Sequence, residues 1–281
     1  MGRKRTTVTA LITDPALAAR SGPAADRRFI TALARGLELL RCFKPQDRWL
    51  AHQELTRRTG LPPATVSRLS FTLTSLGYLR HRPASGEYAL SPAVLSLGFS
   101  VLSNFDIGRI ARPFMETLAE YTQAAVSLGV RHQAEMVYVA HCRSTARLIL
   151  GLDVGMRLPL AQTAMGRALW CSLSPAMRER LAAQLEAQDA ARWPQHLAGL
   201  QRAELEFTRC GYASSESDWE SEIAAIGVGI DLGDGREPLA LTIGGAAARL
   251  KGELLHADFG PALVKAGLAI TAAVQAADWL D

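Results

Sequence analysis

Apolar positions recur along this chain with two different periods, and the change of period divides it. Between Phe29 and Phe43, the residues Ile30, Leu33, Ala34, Leu37, Leu39 and Leu40 repeat at helical spacing and predict one apolar face. Lys44 to Asp47 reads as a turn. Residues 51–59 predict a short helix stopped by Gly60, which can take the positive φ that closes a helix. Pro63 opens the next helix at its first position, where a missing N–H costs nothing. That helix runs to about Leu76 and stops at Gly77, with Val66, Leu69, Leu73 and Leu76 in one sector predicted to face a core. Two short extended runs, 78–82 and 87–90, flank Pro83-Ala84-Ser85-Gly86 and predict a hairpin. Helix, helix, tight turn, helix and hairpin in roughly 60 residues outline a winged helix-turn-helix.

Ser91-Pro92 starts a further helix reaching about Ser103. Val94, Leu95, Leu97, Phe99, Val101 and Leu102 spread around most of it, so it needs more than one packing partner, a second chain among them. Ile107, Ile110, Ala111, Phe114, Met115 and Leu118 mark an amphipathic helix. Beyond residue 122 the period shortens to that of strands, expected at 124–130, 135–141, 148–152, 223–231 and 238–243. Helices are expected at 164–172, 175–187, 201–210 and 261–280. Strands grouped on either side of helices predict an α+β domain with an antiparallel sheet. Within the 223–231 strand, Gly227 and Gly229 mark a bulge or a close backbone approach. The expected organisation is a disordered basic tail over 1–26, a winged helix over 27–90, a linker helix over 91–106 and an α+β domain over 107–281.

Charge sharpens this division. The 281 residues carry 31 Lys+Arg and 27 Asp+Glu, a net +4. Residues 1–100 hold 15 basic and 6 acidic side chains, and residues 101–281 hold 16 and 21, so +9 sits on the first third and −5 on the rest. Such asymmetry points to a polyanionic partner for the first part, or to a solvated basic surface. A hydrophobic fraction of 48% and a charged fraction of 21% exclude wholesale disorder. The uncharged apolar stretches are short of a membrane span, and the start lacks the apolar core of a secretory signal. Cys42, Cys142, Cys171 and Cys210 are scattered, which fits reduced thiols in the cytoplasm rather than a disulfide frame or a zinc knuckle. No membrane, metal or cofactor is expected.

The helix opened by Pro63 carries the chemistry of a reading helix on its other side. Arg68 can give two hydrogen bonds to a guanine, Phe71 can press on a thymine methyl, and Ala64 and Ser75 permit close approach to the groove. Thr65 and Ser67, near the positive end of the helix, suit phosphates, with Thr72 flanking. Arg80, His81 and Arg82 on the hairpin and Arg57 and Arg58 at the end of the preceding helix add backbone contacts. The expected partner is double-stranded DNA.

Several segments resemble the IclR family of bacterial transcriptional regulators. They are Leu33-Ala34-Arg35-Gly36-Leu37-Glu38-Leu39-Leu40, Glu54-Leu55, Arg57-Arg58-Thr59-Gly60-Leu61-Pro62, Thr65-Val66-Ser67-Arg68-Leu69 and Leu76-Gly77-Tyr78-Leu79. Downstream come Met136-Val137-Tyr138-Val139-Ala140, the specific run Arg157-Leu158-Pro159-Leu160-Ala161-Gln162-Thr163-Ala164-Met165-Gly166-Arg167-Ala168-Leu169, Gly211-Tyr212-Ala213 and Ala225-Ile226-Gly227-Val228-Gly229-Ile230. Ala34-Arg35-Gly36-Leu37 with Ser96-Leu97-Gly98-Phe99 is also similar to the branch controlling aromatic-acid catabolism. The resemblance implies a GAF-like C-terminal domain that binds a small effector, a homodimer or tetramer, and a short palindromic operator. It also implies an effector site at Thr163, Ala164, Met165, Ser215, Thr242 and Gly244.

This chain departs from the family pattern in that pocket. Many relatives carry an acidic residue at Ser215, a cysteine at Ala225 and a serine at Gly244, so three polar groups are missing, which implies a larger or more apolar ligand, or a pocket that binds weakly. Trp219 is either a lid or packed on the domain surface, and its size favours packing. Catalysis finds no support. The six histidines, His52, His81, His132, His141, His196 and His256, form no i,i+4 pair, and no nucleophile or phosphate-loop motif is present. His141 and Cys142 are adjacent on a strand and point to opposite faces. The remaining alternative is a DNA-binding factor whose C-terminal domain only oligomerises.

Overall fold

The computed structural model describes residues 29–103, 105–143, 152–233, 235–250 and 252–277. The expected tail over 1–26, most of the strand expected at 148–152, and the last residues of the helix expected at 261–280 lie outside them. The chain divides into two compact units between Val101 and Leu102.

In the first unit, α1 (Thr31–Arg41), α2 (His52–Thr59) and α3 (Pro63–Ser75) enclose a core of Leu39, Cys42, Leu50, Leu55, Val66 and Leu79. Gly60 closes α2 at φ +66° and Pro63 stands in the first turn of α3, as their residue types demand. The packed side of α1 differs from the expected one. Gly36 and Leu39 are buried there, Gly36 against Leu69 of α3, while Ile30, Leu33 and Leu37 are exposed. The inner side of α3 differs as well: Ser70 is fully buried, whereas Leu76, at the helix end, is 64% exposed. The hairpin of β2 (Leu79–Arg82) and β3 (Glu87–Leu90) gains a third strand, β1 (Leu50–Ala51), which pairs with β3 in the order β1-β3-β2. Two residues are too few to show a period.

Helix α4 (Ala93–Ser103) buries none of its residues. In the second unit, α5 (Asp106–Thr122) leads into an antiparallel six-stranded sheet of order β6-β5-β4-β9-β8-β7. Its strands are β4 (Ala125–His132), β5 (Glu135–Cys142), β6 (Arg157–Pro159), β7 (Ala213–Glu216), β8 (Ile223–Ile230) and β9 (Leu239–Ala246). Alternation along the strands fills two cores. Ala224, Ile226, Val228 and Ile230 of β8 join Leu239, Leu241 and Ile243 of β9 against α5 and α9 (Gly260–Gln275). The opposite face meets α6 (Ala164–Ser172), with α7 (Pro175–Gln188) and α8 (Trp193–Cys210) behind it. Strands β6 and β7 are short and were not expected, and α8 begins eight residues before its expected start because Trp193 and Leu200 are buried.

Helix α6 lies directly on the sheet because glycines stand beneath it. A Cβ on Gly227 would come within 2.7 Å of the Ala164 carbonyl oxygen, and one on Gly229 within 1.9 Å of Ser172 Oγ. This is the close backbone approach that glycines inside a strand signal. The last helix starts earlier than expected, through a π-helical turn at Leu254–Phe259. With it, Leu254–Gln275 spans 22 residues and holds an 18-residue window of mean hydropathy 1.3, long and apolar enough by composition to cross a membrane, although Asp258 and Lys265 interrupt it, so the uncharged stretches remain short as expected. Leu255, Phe259, Leu263, Ile270 and Val274 of this stretch are buried in the α5–sheet core, where an apolar helix is packed rather than lipid-facing.

Candidate functional site

On α3, burial of Val66 and Ser70 turns Ser67, Arg68, Phe71, Thr72 and Ser75 to solvent. Phe71 is 73% exposed, which has no packing rationale within the unit and matches a surface kept for a partner. Thr65 is half-buried, and the Thr72 hydroxyl donates to the Arg68 carbonyl oxygen at 2.9 Å, so it serves the helix backbone.

The two arginines of α2 have different places. Arg57 is exposed and donates to Glu54 at 2.7 and 2.5 Å. Arg58 points inward, its side chain 12% exposed, where it pairs with Asp47 and donates to Glu54 Oε1 at 2.6 Å and to the Cys42 carbonyl oxygen at 3.1 Å. Arg58 is therefore a tie between α1, the following turn and α2, and its expected place on the DNA-facing surface is corrected. The hydrogen bonds from both arginines hold the Glu54 carboxyl down at about 2. Burial alone would raise the Asp47 carboxyl, but its bonds to Arg58 and to the Lys44 amide outweigh that and lower it. Cys42 is pushed up to about 12 by burial, an inert thiol in this core.

The second unit holds a cavity of about 40 Å³ for the centres of water-sized molecules, and all six residues expected at the effector site line it. Strand register explains its floor. Ser215 pairs with Ala225, Ala225 with Gly244, and Gly244 with Ala125, so four small residues form a row across β7, β8, β9 and β4. The next row carries Thr242 and Ser127. The N-terminal turn of α6 forms the roof. Thr163 caps that helix, its hydroxyl accepting from Gly166 N at 3.3 Å and donating to the Pro159 carbonyl oxygen at 2.8 Å. The first amides of a helix have no acceptor within it, so Ala164 and Met165 carry N–H donors at this end. Leu152, Leu158, Ile223 and Trp219 are the apolar walls. Trp219 thus lines the cavity while also packing against the α6–α8 core.

Tyr138 and Ser127 add to the lining a polar group that pattern reading did not find. Burial raises the Tyr138 hydroxyl above its usual range, and the Ser127 and Thr242 hydroxyls beside it moderate the shift. Ser127 Oγ lies 2.9 Å from His141 Nδ1, and burial lowers His141, which keeps that imidazole neutral at pH 7. The Ser215 hydroxyl donates to the Gln162 carbonyl oxygen at 2.8 Å. Among the described residues, none of the cavity's lining side chains carries a charge. Among the described residues, no cluster of three or more His, Cys, Asp and Glu side chains could hold a metal ion.

A winged helix with an open reading helix, followed by an antiparallel α+β domain with a small cavity, defines a class: the DNA-binding transcriptional regulators. The chain belongs to the IclR family. The model of the bacterial transcriptional regulator IclR C-terminal domain matches residues 99–272, and that of the IclR helix-turn-helix domain matches residues 32–83. The chain is 35% identical over 250 residues to the HTH-type transcriptional regulator TsaQ1/TsaQ2 of Comamonas testosteroni, covering 88% of this chain and 90% of that protein. It is 30% identical over 247 residues to the Pca regulon regulatory protein of Pseudomonas putida, covering 86% and 83%. Among solved structures, an IclR family transcriptional regulator from Brucella abortus superposes with a TM-score of 0.77 at 36% identity, over 96% of this chain and 100% of that one.

Proposed function

We propose that this regulator senses a small carboxylated metabolite in the cavity beneath α6 and transmits its presence to operator DNA. The observation that carries this reading is the cavity's make-up: helix-terminal amides at the roof, a floor of small residues, and uncharged hydroxyls beside them. Amides at a helix N-terminus can hold a carboxylate without a basic side chain. The row Ser215–Ala225–Gly244–Ala125 leaves a flat apolar floor, which suits a planar carbon skeleton better than a highly hydroxylated one. An aromatic acid is therefore the favoured ligand, in keeping with the resemblance of this chain to the branch controlling aromatic-acid catabolism.

The exposed apolar surface of α4, with Leu95, Leu97, Phe99 and Val101 uncovered, supports a homodimer or a tetramer. Such a dimer, acting in the bacterial cytoplasm, sets two α3 helices in successive major grooves of a short palindrome, with Arg68 and Phe71 reading bases and Ser67, Arg80 and Arg82 holding the backbone. Arg57 is a weaker contributor, since Glu54 already competes for it. Arg68→Ala should weaken operator binding by about 1–3 kcal/mol and relax preference at one base position, while affinity for unrelated duplexes changes little.

Thermal unfolding of the full chain with benzoate, 4-hydroxybenzoate and succinate tests the ligand class. The expected result is a rise of several degrees with the benzoates, since ligand present at 100 times its Kd adds about 2.7 kcal/mol of stability. Gly244→Leu, which fills the floor, should abolish that rise. No shift with any acid would favour the reading in which the domain only oligomerises.

A further inference from the structure

We infer that Trp49 is a positioning residue for DNA binding, an indole platform that holds the two wing arginines ready for the phosphate backbone; this rests on the reading that Arg80 and Arg82 contact DNA. In β2, Arg80 and Arg82 are two residues apart and share one face of the sheet. Arg80 pairs with Ala89 of β3 and Arg82 with Glu87. On the other side of β3, Ala51 of β1 also pairs with Glu87, so Trp49, two residues earlier, falls beside Ala89 on that same face. The Arg82 guanidinium carbon sits 4.1 Å from the centre of the Trp49 ring, and that of Arg80 sits 5.3 Å from it.

The middle strand makes this reach possible. Ala89 is only 2% exposed although it lies on the outer side of a three-stranded sheet, because the indole and the arginine stems lie across it. A larger residue there would prop the ring away from β2. Trp49 itself is half-buried and precedes a two-residue strand whose pairing with β3 fixes its place.

The arginines are not equivalent. Arg82 also pairs with Glu87 at 3.1 Å, and Glu87 accepts from the Ser85 hydroxyl at 2.7 Å, so its charge is partly answered. Among the described residues, Arg80 meets no carboxylate, and the face of the indole is its partner. A ring face binds a cation without neutralising it, so the charge stays available to a phosphate while the long side chain loses much of its freedom before DNA arrives. The arginines supply the charge, and Trp49 supplies their order.

The test measures Kd and its salt dependence for the full chain on an operator recovered by selection from random duplexes. Trp49→Leu keeps apolar bulk and removes the ring, whereas Trp49→Phe keeps a ring. Trp49→Leu should weaken binding about fivefold and reduce the slope of log K against log salt by about one, and Trp49→Phe should retain most of the affinity. In an Arg80→Ala/Arg82→Ala background, Trp49→Leu should have no further effect. If the double arginine variant binds as wild type with an unchanged slope, the wing contacts no backbone and the inference fails with that reading. If the double arginine variant is weakened but Trp49→Leu binds as wild type, or lowers affinity equally with and without the arginines, the wing reading stands and the platform is overturned. Should Trp49→Leu unfold, the comparison of Trp49→Phe with the arginine variants decides it, because a ring platform predicts near-normal binding and slope.

Discussion

Arg58 donates to Asp47, Glu54 and the Cys42 carbonyl oxygen, whereas Arg57, one residue earlier, holds only Glu54 at the surface. Residue type alone could not separate them. Both look like phosphate contacts in a basic segment, and only the turn that brings Asp47 back beneath α2 shows which is internal. Removing one partner of a buried ion pair costs far more than removing a surface one. Arg58→Ala should therefore destabilise the DNA-binding unit by about 3 kcal/mol, and Arg57→Ala by less than about 1 kcal/mol, as measured by denaturant unfolding. The lowered carboxyls give this cluster a pH signature. Asp47 and Glu54 lie below their ordinary values when folded, so their stabilisation is fully present above about pH 5. It is lost as pH falls through the folded values, toward about 2 for Glu54. The wild type should lose stability over that window, and Arg58→Ala should lose the Asp47 part of this dependence while keeping the part that Arg57 gives Glu54.

At the scale of elements, long periodic segments were legible and short or register-dependent ones were not. The bounds of α6 and the order of helices in the winged helix follow from spacing, caps and Gly60. Strands β1, β6 and β7 have two to four residues, too few for alternation to show, and each is held by a longer neighbour. The six expected effector residues came from family resemblance, and the structure brings them together. Tyr138 and Ser127, which line the cavity, and His141, which lies against Ser127, were missed because strand pairing, including the irregularity at Leu128 and Gly129, sets which residues meet there. Two predictions belong here. Gly227→Val should displace α6, cost about 1–3 kcal/mol and remove the thermal shift given by benzoates. Arg167 of α6 donates to Asp218 Oδ2 and to the Ser214 carbonyl oxygen, both at 2.8 Å, and so pins the loop that carries Trp219. Asp218→Ala should speed ligand release several-fold with little change in association, as read by stopped-flow fluorescence.

Across the whole molecule, the mild net charge of +4 conceals a basic winged helix and an acidic second domain. Their separation fits two tasks on one chain, and α4 is the segment in between. Coupling in such regulators amounts to a difference in DNA affinity between ligand-bound and ligand-free states, commonly 5–150-fold, or about 1–3 kcal/mol. Phe99→Glu on the exposed surface of α4 should shift the full chain toward monomer in sedimentation and weaken operator binding at least tenfold, since a palindrome read by one head loses half its contacts.

The most direct test is operator affinity by fluorescence anisotropy, at fixed salt, as benzoate or 4-hydroxybenzoate is titrated into wild type and Gly244→Leu. The account predicts at least a fivefold change in Kd for the wild type and none for Gly244→Leu, whose ligand-free affinity should equal that of the wild type. A ligand that raises the melting temperature through the cavity yet leaves operator affinity unchanged would contradict it.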